Sequence, residues 1–417
     1  MKKIFFVTYG GGHANIVELL TKELVKNDNF QIEILALTSA FEYLKKTLPN
    51  NQQNLSIYAL SDLMHLFNED NEKIKKFGQN LLQQLNSKQT ISKEETINYM
   101  GLSFFDLAVE IGEEEAQKKY LKEGRRAFKP VKSMETILKF IKPDVVVATT
   151  SPRFESASLI ASNKLKIPSV QILDVFSTMY NGLEGDNICC FDTNSADKLS
   201  KIVKHNQKIY VTGQPVIEES LKKISQLNKK NILKKLGLAG DEPTVLLATQ
   251  KLLLSDENNF KIGYADNEVV YKNVLKELNK LHKKTGSNIL LRIHPVSESK
   301  NFYKDLLKKF THIKYVNDII SLHESIAVSD IVVSHSSTVA MEAAYSGRET
   351  FTFRHVHEQN YPIPEFKEKP FNFLENEFNI CSQIETYIQK NKSLQPNSYD
   401  FKDSVNRIID VMRSLMC

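Results

Sequence analysis

Short apolar runs alternate with longer stretches of helical periodicity along most of the chain. Apolar runs of about four to eight residues, bounded by turn residues, predict buried parallel strands. They fall at 3–9, 31–38, 143–150, 167–173, 187–191 and 209–212 in the first half. In the second half they fall at 244–249, 289–293, 313–316, 331–334 and 349–353. Helical spacing fills the intervals at 16–26, 41–47, 151–164 (with Pro152 at the first helical position), 195–203, 217–236, 267–285 and 301–310. A further helix is expected after Ser336-Ser337-Thr338, ending at Gly347, a residue suited to a C-cap. Helical tails are expected at 382–390 and 400–416.

This alternation predicts an α/β fold of two Rossmann-like domains facing a cleft. The stretch from about Ser61 to Phe140 breaks it with polar helical sequence and no clear strand, and reads as a helical insertion. Gly213-Gln214-Pro215 punctuates the chain. The expected domains are therefore 1–215, with the insertion at about 61–140, and 216–417, whose last helix is expected to pack back on the first domain.

Candidate chemistry sits at strand ends, where open α/β sheets bind ligands. The strand at 331–334 runs into Ser336, Ser337 and Thr338 and then a helix start, which presents orphan N–H groups to an anion. Glu342, one turn later, is placed to accept from ribose or sugar hydroxyls. His294-Pro295 ends the strand at 289–293, and Gln250-Lys251 follows the strand at 244–249. Gly10-Gly11-Gly12-His13 follows the first strand, where Gly11 and Gly12 allow a ligand near the backbone. This loop is neither Gly-x-Gly-x-x-Gly nor a Walker sequence. Asp174 ends the strand at 167–173, and Arg153 lies just past another. Taken singly, each is also an ordinary helix cap or loop residue. Two ligand-type strand ends in one domain fit a shared ligand better.

Composition narrows the class. The chain has 417 residues, 41% hydrophobic and 25% charged, which is globular and too long for one ordinary core. A net charge of +5 is too weak to argue for nucleic acid. No apolar run approaches the roughly 18 residues of a membrane span. Four cysteines lack metal spacing, and Cys189-Cys190 read as buried thiols, so a cytoplasmic protein is expected. His355 and His357 stand two apart with no convincing third ligand, so neither metal nor cofactor is expected. The basic run around Lys118, Lys119, Arg125 and Arg126 reads either as a solvated face or as a surface for an anionic acceptor or the inner membrane face.

These residues resemble GT-B-type glycosyltransferases. Gly10-Gly11-Gly12-His13 resembles their glycine loop, and Val211-Thr212-Gly213-Gln214-Pro215 the interdomain turn of MurG-like and epimerase-like members. His294-Pro295 with Ser336-Ser337-Thr338 resembles the paired motifs of bacterial sialyltransferases and capsule transferases. The resemblance implies metal-independent inverting transfer, with a CMP-activated nonulosonic or Kdo-type sugar favoured, to a glycan, lipid-linked or protein acceptor. It implies Asp174 or His13 as base, and His294 with Ser336–Thr338 on the leaving phosphate. Arg153, Lys118 and Arg125 become candidate acceptor contacts. Alternatives are a UDP-sugar transferase, an enzyme like the non-hydrolysing UDP-GlcNAc 2-epimerases, and a non-catalytic nucleotide-sugar binder. The Gly-Thr-Arg-Pro-Glu and Ser-Gly-Gly/Gln-Glu-Glu sequences of the epimerases are missing here.

Overall fold

The structure is a computed structural model and describes residues 1–49, 52–83, 92–176, 182–238, 242–255, 261–294, 298, 300–358, 361, 363–390 and 403–416. The chain forms two compact units, Met1–Val216 with Lys402–Cys417, and Ile217–Phe401.

The first unit opens with β1 (Lys2–Thr8), α1 (Gly12–Leu24), β2 (Phe30–Ala36), α2 (Ala40–Thr47) and β3 (Leu55–Tyr58). Among the described residues, four α-helices interrupt the alternation: α3 (Asn71–Gln83), α4 (Lys93–Ile111), α5 (Glu113–Glu123) and α6 (Val131–Ile141). It resumes with β4 (Val145–Ala148), α7 (Phe154–Lys164), β5 (Ser169–Ile172), β6 (Asn187–Cys190), α8 (Thr193–Leu199) and β7 (Lys208–Val211). The strands form one sheet in the order β3-β2-β1-β4-β5-β6-β7, parallel throughout.

Alternation along β1 shows how the sheet is covered on both faces. Ile4 and Phe6 pack with α1 and α2. Phe5 and Val7 face the other way, onto a core that includes Ile74, Phe77, Leu102 and Ile137 of the inserted helices. The insertion thus supplies one face of the first core. Helices α3 and α4 approach so closely that a Cβ on Gly101 would lie 2.1 Å from the Ile74 carbonyl oxygen. A Cβ on Gly78 would lie 2.1 Å from that of Ile97. Its polar groups are also tied in: the Glu95 carboxylate accepts from the Leu60 and Ser61 N–H groups at 2.9 and 3.0 Å.

Helices α9 (Pro215–Ser225) and α10 (Lys229–Leu236) lead into β8 (Thr244–Ala248), the hairpin β9 (Leu253–Ser255) and β10 (Lys261–Tyr264), and α11 (Asn267–Thr285). Then come β11 (Asn288–Arg292), α12 (Lys300–Leu307), β12 (Ile313–Tyr315), α13 (Leu322–Val328), β13 (Ile331–Ser334) and α14 (Thr338–Tyr345). β14 (Glu349–Phe353), β15 (Asn372–Leu374) and α15 (Ile380–Lys390) complete the second unit. Its six-stranded parallel sheet runs β12-β11-β8-β13-β14-β15. The last helix, α16 (Ser404–Leu415), belongs to the first unit, where Ile408, Ile409 and Met412 join the core of α1 and β1.

Local readings differ at three places. The expected helix over 217–236 is two helices, because Asn228 caps α10 by accepting from the Asn231 N–H. Pro152 does not start α7; Arg153 precedes it with φ 75°. β3, β15 and the hairpin were not foreseen, being pieces of only three or four residues. Cys189 and Cys190 are buried free thiols, and burial pushes both up to about 12, so neither is a nucleophile at neutral pH. Among the described residues no helix is long and apolar enough to cross a membrane.

Candidate functional site

In the second unit the strand order reverses between β8 and β13, the kind of place where α/β sheets bind ligands. The Ser334 hydroxyl donates to the Ala248 carbonyl at 3.0 Å and ties the two strand ends. Just beyond them, Gln250 Nε2 donates to Ser336 Oγ at 3.0 Å and lies 3.4 Å from His335 Nδ1. Ser337 is the N-cap of α14 and accepts from the Val339 N–H at 3.2 Å. Ser336 and Ser337 are half-buried, and Thr338 and Lys251 are exposed. A helix start lined by small hydroxyl residues is an anion site in waiting.

His294 lies past the end of β11, exposed, and its backbone N–H donates to Glu298 Oε2 at 3.0 Å. Glu298 also takes the Tyr303 hydroxyl at 2.6 Å, the Asn267 amide at 3.2 Å and the Thr249 hydroxyl. It therefore fixes the ends of β8 and β11. It escaped the sequence reading because it lies in no strand and no motif. Pro295 falls outside the described residues.

Glu342 does not stand with Thr338. It is buried, with no partner for Oε2 among the described residues, and Ser220 of α9 and Lys223 act on it. Burial raises its carboxyl from 4.5 to about 7. The folded chain therefore keeps a proton that the unfolded chain releases. That contribution is complete below the unfolded value and is lost as pH rises through 7. Glu342→Gln is expected to leave stability almost unchanged below pH about 4.5 and to raise it by about 3 kcal/mol at pH about 8. Urea unfolding at both pH values checks this; a variant less stable than the parent at the higher pH refutes it.

The first unit has its own reversal, between β1 and β4. Gly11, with φ 74°, and Gly12, at the start of α1, have open space where a Cβ would stand. His13 follows, half-buried. The fully buried Glu155 carboxylate accepts from the Tyr9 and Ser151 N–H groups, both at 3.0 Å, and from the Thr149 hydroxyl at 2.5 Å. Its pKa is raised by burial. Thr149 Oγ1 is also 2.5 Å from His13 Nδ1. Since the threonine proton goes to Glu155, His13 donates through Nδ1, and Nε2 is its basic nitrogen. Asp174, two residues past β5, takes the Thr150 hydroxyl and lies 3.7 Å from His13 Nδ1. The structure thus brings His13 and Asp174 together, and Gln250 with Ser336.

Lys118 pairs with Glu114 at 3.0 Å and Glu115 at 2.8 Å on its own helix, so its charge is locally offset. Arg125 lies in the short turn after α5, and Arg153 lays its guanidinium over the Tyr9 ring at 5.2 Å inside the first unit. The strand-end histidines also differ from their linear reading. His357 is exposed, whereas His335 and Glu358 join His355 in the interior. Burial, with His335 and His357 close by, pushes His355 down to about 4.

Comparison with known proteins decides the family. The UDP-N-acetylglucosamine 2-epimerase family model (Epimerase_2) matches residues 186–413, more than half of the chain. No curated protein sequence matches it. Among solved structures, UDP-GlcNAc 2-epimerase from Methanocaldococcus jannaschii is 16% identical, with 99% of each chain covered and a TM-score of 0.57. The Neisseria meningitidis UDP-GlcNAc 2-epimerase bound to UDP-GlcNAc is 16% identical, covering 99% of this chain and all of that one, with a TM-score of 0.60. MurG from Acinetobacter baumannii is 11% identical, covering 99% and 100%, at 0.52. At such identities the structures show the shared two-domain α/β fold. The family match overturns the sialyltransferase-like glycosyltransferase reading, and with it the CMP-linked donor and the glycan acceptor. A helix start lined by serines does not count phosphates or name the base, which is why those motifs misled. The pattern spread over β6 to α16 carries the assignment instead: the chain belongs to the UDP-N-acetylglucosamine 2-epimerase family.

Proposed function

We propose that this protein binds a UDP-linked N-acetylhexosamine and inverts its configuration at C2. The observation that carries the reading is the family match, whose span includes the cluster of Gln250, Ser336 and Ser337 at the α14 start. In this reading the α14 amides and the two serine hydroxyls hold the diphosphate. Lys251 and His294, past neighbouring strand ends, contribute charge and hydrogen bonds.

The chemistry asked of the site is specific. C2 of a glycosyl phosphate has no neighbouring carbonyl, so its hydrogen is not acidic by itself. If the C1–oxygen bond to UDP breaks as the C2 proton leaves, the products are a C1=C2 double bond and UDP. Adding UDP back at C1, with a proton delivered to the other face of C2, yields the epimer and balances every atom. Two proton-moving groups suit this, and His13 and Asp174 are the proposed pair.

Incubation with UDP-GlcNAc in D2O tests it. The expected result is deuterium at C2 of recovered UDP-sugar, a mixture of C2 epimers, and no net release of UDP. A protein that binds UDP, seen as a raised melting temperature, but leaves C2 unlabelled would overturn the reading in favour of a non-catalytic binder.

A further inference from the structure

Three side chains that the proposed reaction does not use meet beneath the carboxyl ends of β13 and β14. His335 follows β13, His355 follows β14, and Glu358 closes the turn after it. All three are buried, and their potential ligand atoms lie within 4.8 Å of one another. His335 Nε2 is 2.9 Å from Glu358 Oε2. Among the described residues, neither ring nitrogen of His355 has a hydrogen-bond partner, nor has Glu358 Oε1. Burying a polar ring with both nitrogens unmatched is costly, and interiors rarely tolerate it without a partner.

We propose that His335, His355 and Glu358 form a binding site for a divalent transition metal of the zinc or cobalt(II) class. Two imidazoles and one carboxylate are the ligand types such ions favour, with a fourth position left for water. Ligand atoms around a tetrahedral ion sit roughly 3.3 Å apart, so the three groups need only small side-chain rotations to close on one centre. The ion satisfies one nitrogen of His355 and the spare oxygen of Glu358 together. The supporting shell is present. Ser336 Oγ lies 2.8 Å from His335 Nδ1, the far side of the ring, and the Tyr361 hydroxyl donates to the His335 carbonyl at 2.6 Å. A ligating histidine held through its other nitrogen is the usual arrangement.

The proton count gives the site a consequence. Without metal, His335 Nε2–H donates to the Glu358 carboxylate, and Nδ1 accepts from the Ser336 hydroxyl. A metal needs the Nε2 lone pair, so the neutral ring carries its proton on Nδ1 and donates it to Ser336 Oγ. Ser336 then becomes an acceptor from both His335 and Gln250, and its own hydrogen is released toward another acceptor at the α14 start. Metal occupancy would in this way reset the hydroxyl that precedes the Ser337 cap of α14.

The full chain, stripped with a chelator and dialysed, is titrated with Co2+ and then Zn2+. The expected results are one ion per chain, a visible cobalt spectrum of low coordination number that zinc abolishes, and a melting temperature raised by several degrees. His355→Gln and Glu358→Gln should each weaken binding by about 100-fold or more, with an unchanged circular dichroism spectrum in the absence of metal. His312→Ala, which removes a ring of the separate His282–His312 stack, should change nothing. Failure to bind either ion overturns the proposal. So does binding that survives both Gln variants, or that disappears with His312→Ala. If one Gln variant does not fold, the other decides.

Discussion

His13→Gln is expected to slow C2 deuterium exchange by about 100-fold or more, because a positioned acid–base group contributes on that scale. UDP affinity, measured by calorimetry, should stay the same, since glutamine keeps a donor near Thr149 and only the basic Nε2 is lost. Asp174→Asn should behave alike: it retains an acceptor for the Thr150 hydroxyl but cannot take a proton. The two side chains are 3.7 Å apart at one strand reversal, so the double variant should be little worse than either single one. Full exchange by either variant would remove that residue from the proposed pair. Parallel loss of UDP binding would instead make it a binding residue.

The second large effect is on stability. Gly101→Ala is expected to destabilise the first unit by about 3 kcal/mol or more, because the new methyl meets the Ile74 backbone rather than a movable side chain. Gly78→Ala should cost a similar amount against the Ile97 carbonyl. These glycines lie where α3 and α4 cross, and the helices cannot part without opening the core beneath β1. Urea unfolding gives the measurement. A midpoint unchanged in both variants would show that the helices separate freely.

Much of the fold was legible because its central strands are buried on both faces and read as unbroken apolar runs: Ile4–Val7, Val145–Ala148, Ile331–Val333. β3 was not, since Leu55–Tyr58 is half-buried throughout and carries no such run. The α9–α10 break turned on one asparagine side chain, below the resolution of periodicity. Residues at strand ends could be flagged as ligand-facing, because sheet position follows from strand position. What the ligand undergoes could not. Holding a phosphate on a helix start is common to transferases and epimerases, and short motifs record only that. The buried trio was hidden for a geometric reason. A linear reading pairs His355 with His357, but the turn after β14 points His357 outward and takes Glu358 in. β13–β14 pairing then brings His335 from 20 residues away.

The placement of α16 bears on how the chain matures. Its apolar face, Ile408, Ile409 and Met412, fills the core against α1 and β1, which precede the second unit in the chain. The second unit lies wholly between those two contributions. During synthesis the second unit can therefore close on itself while the first still waits for α16, which emerges only after it. Until then the α1 side of β1 lacks part of its cover, an apolar surface of the kind that chaperones hold and neighbouring nascent chains stick to.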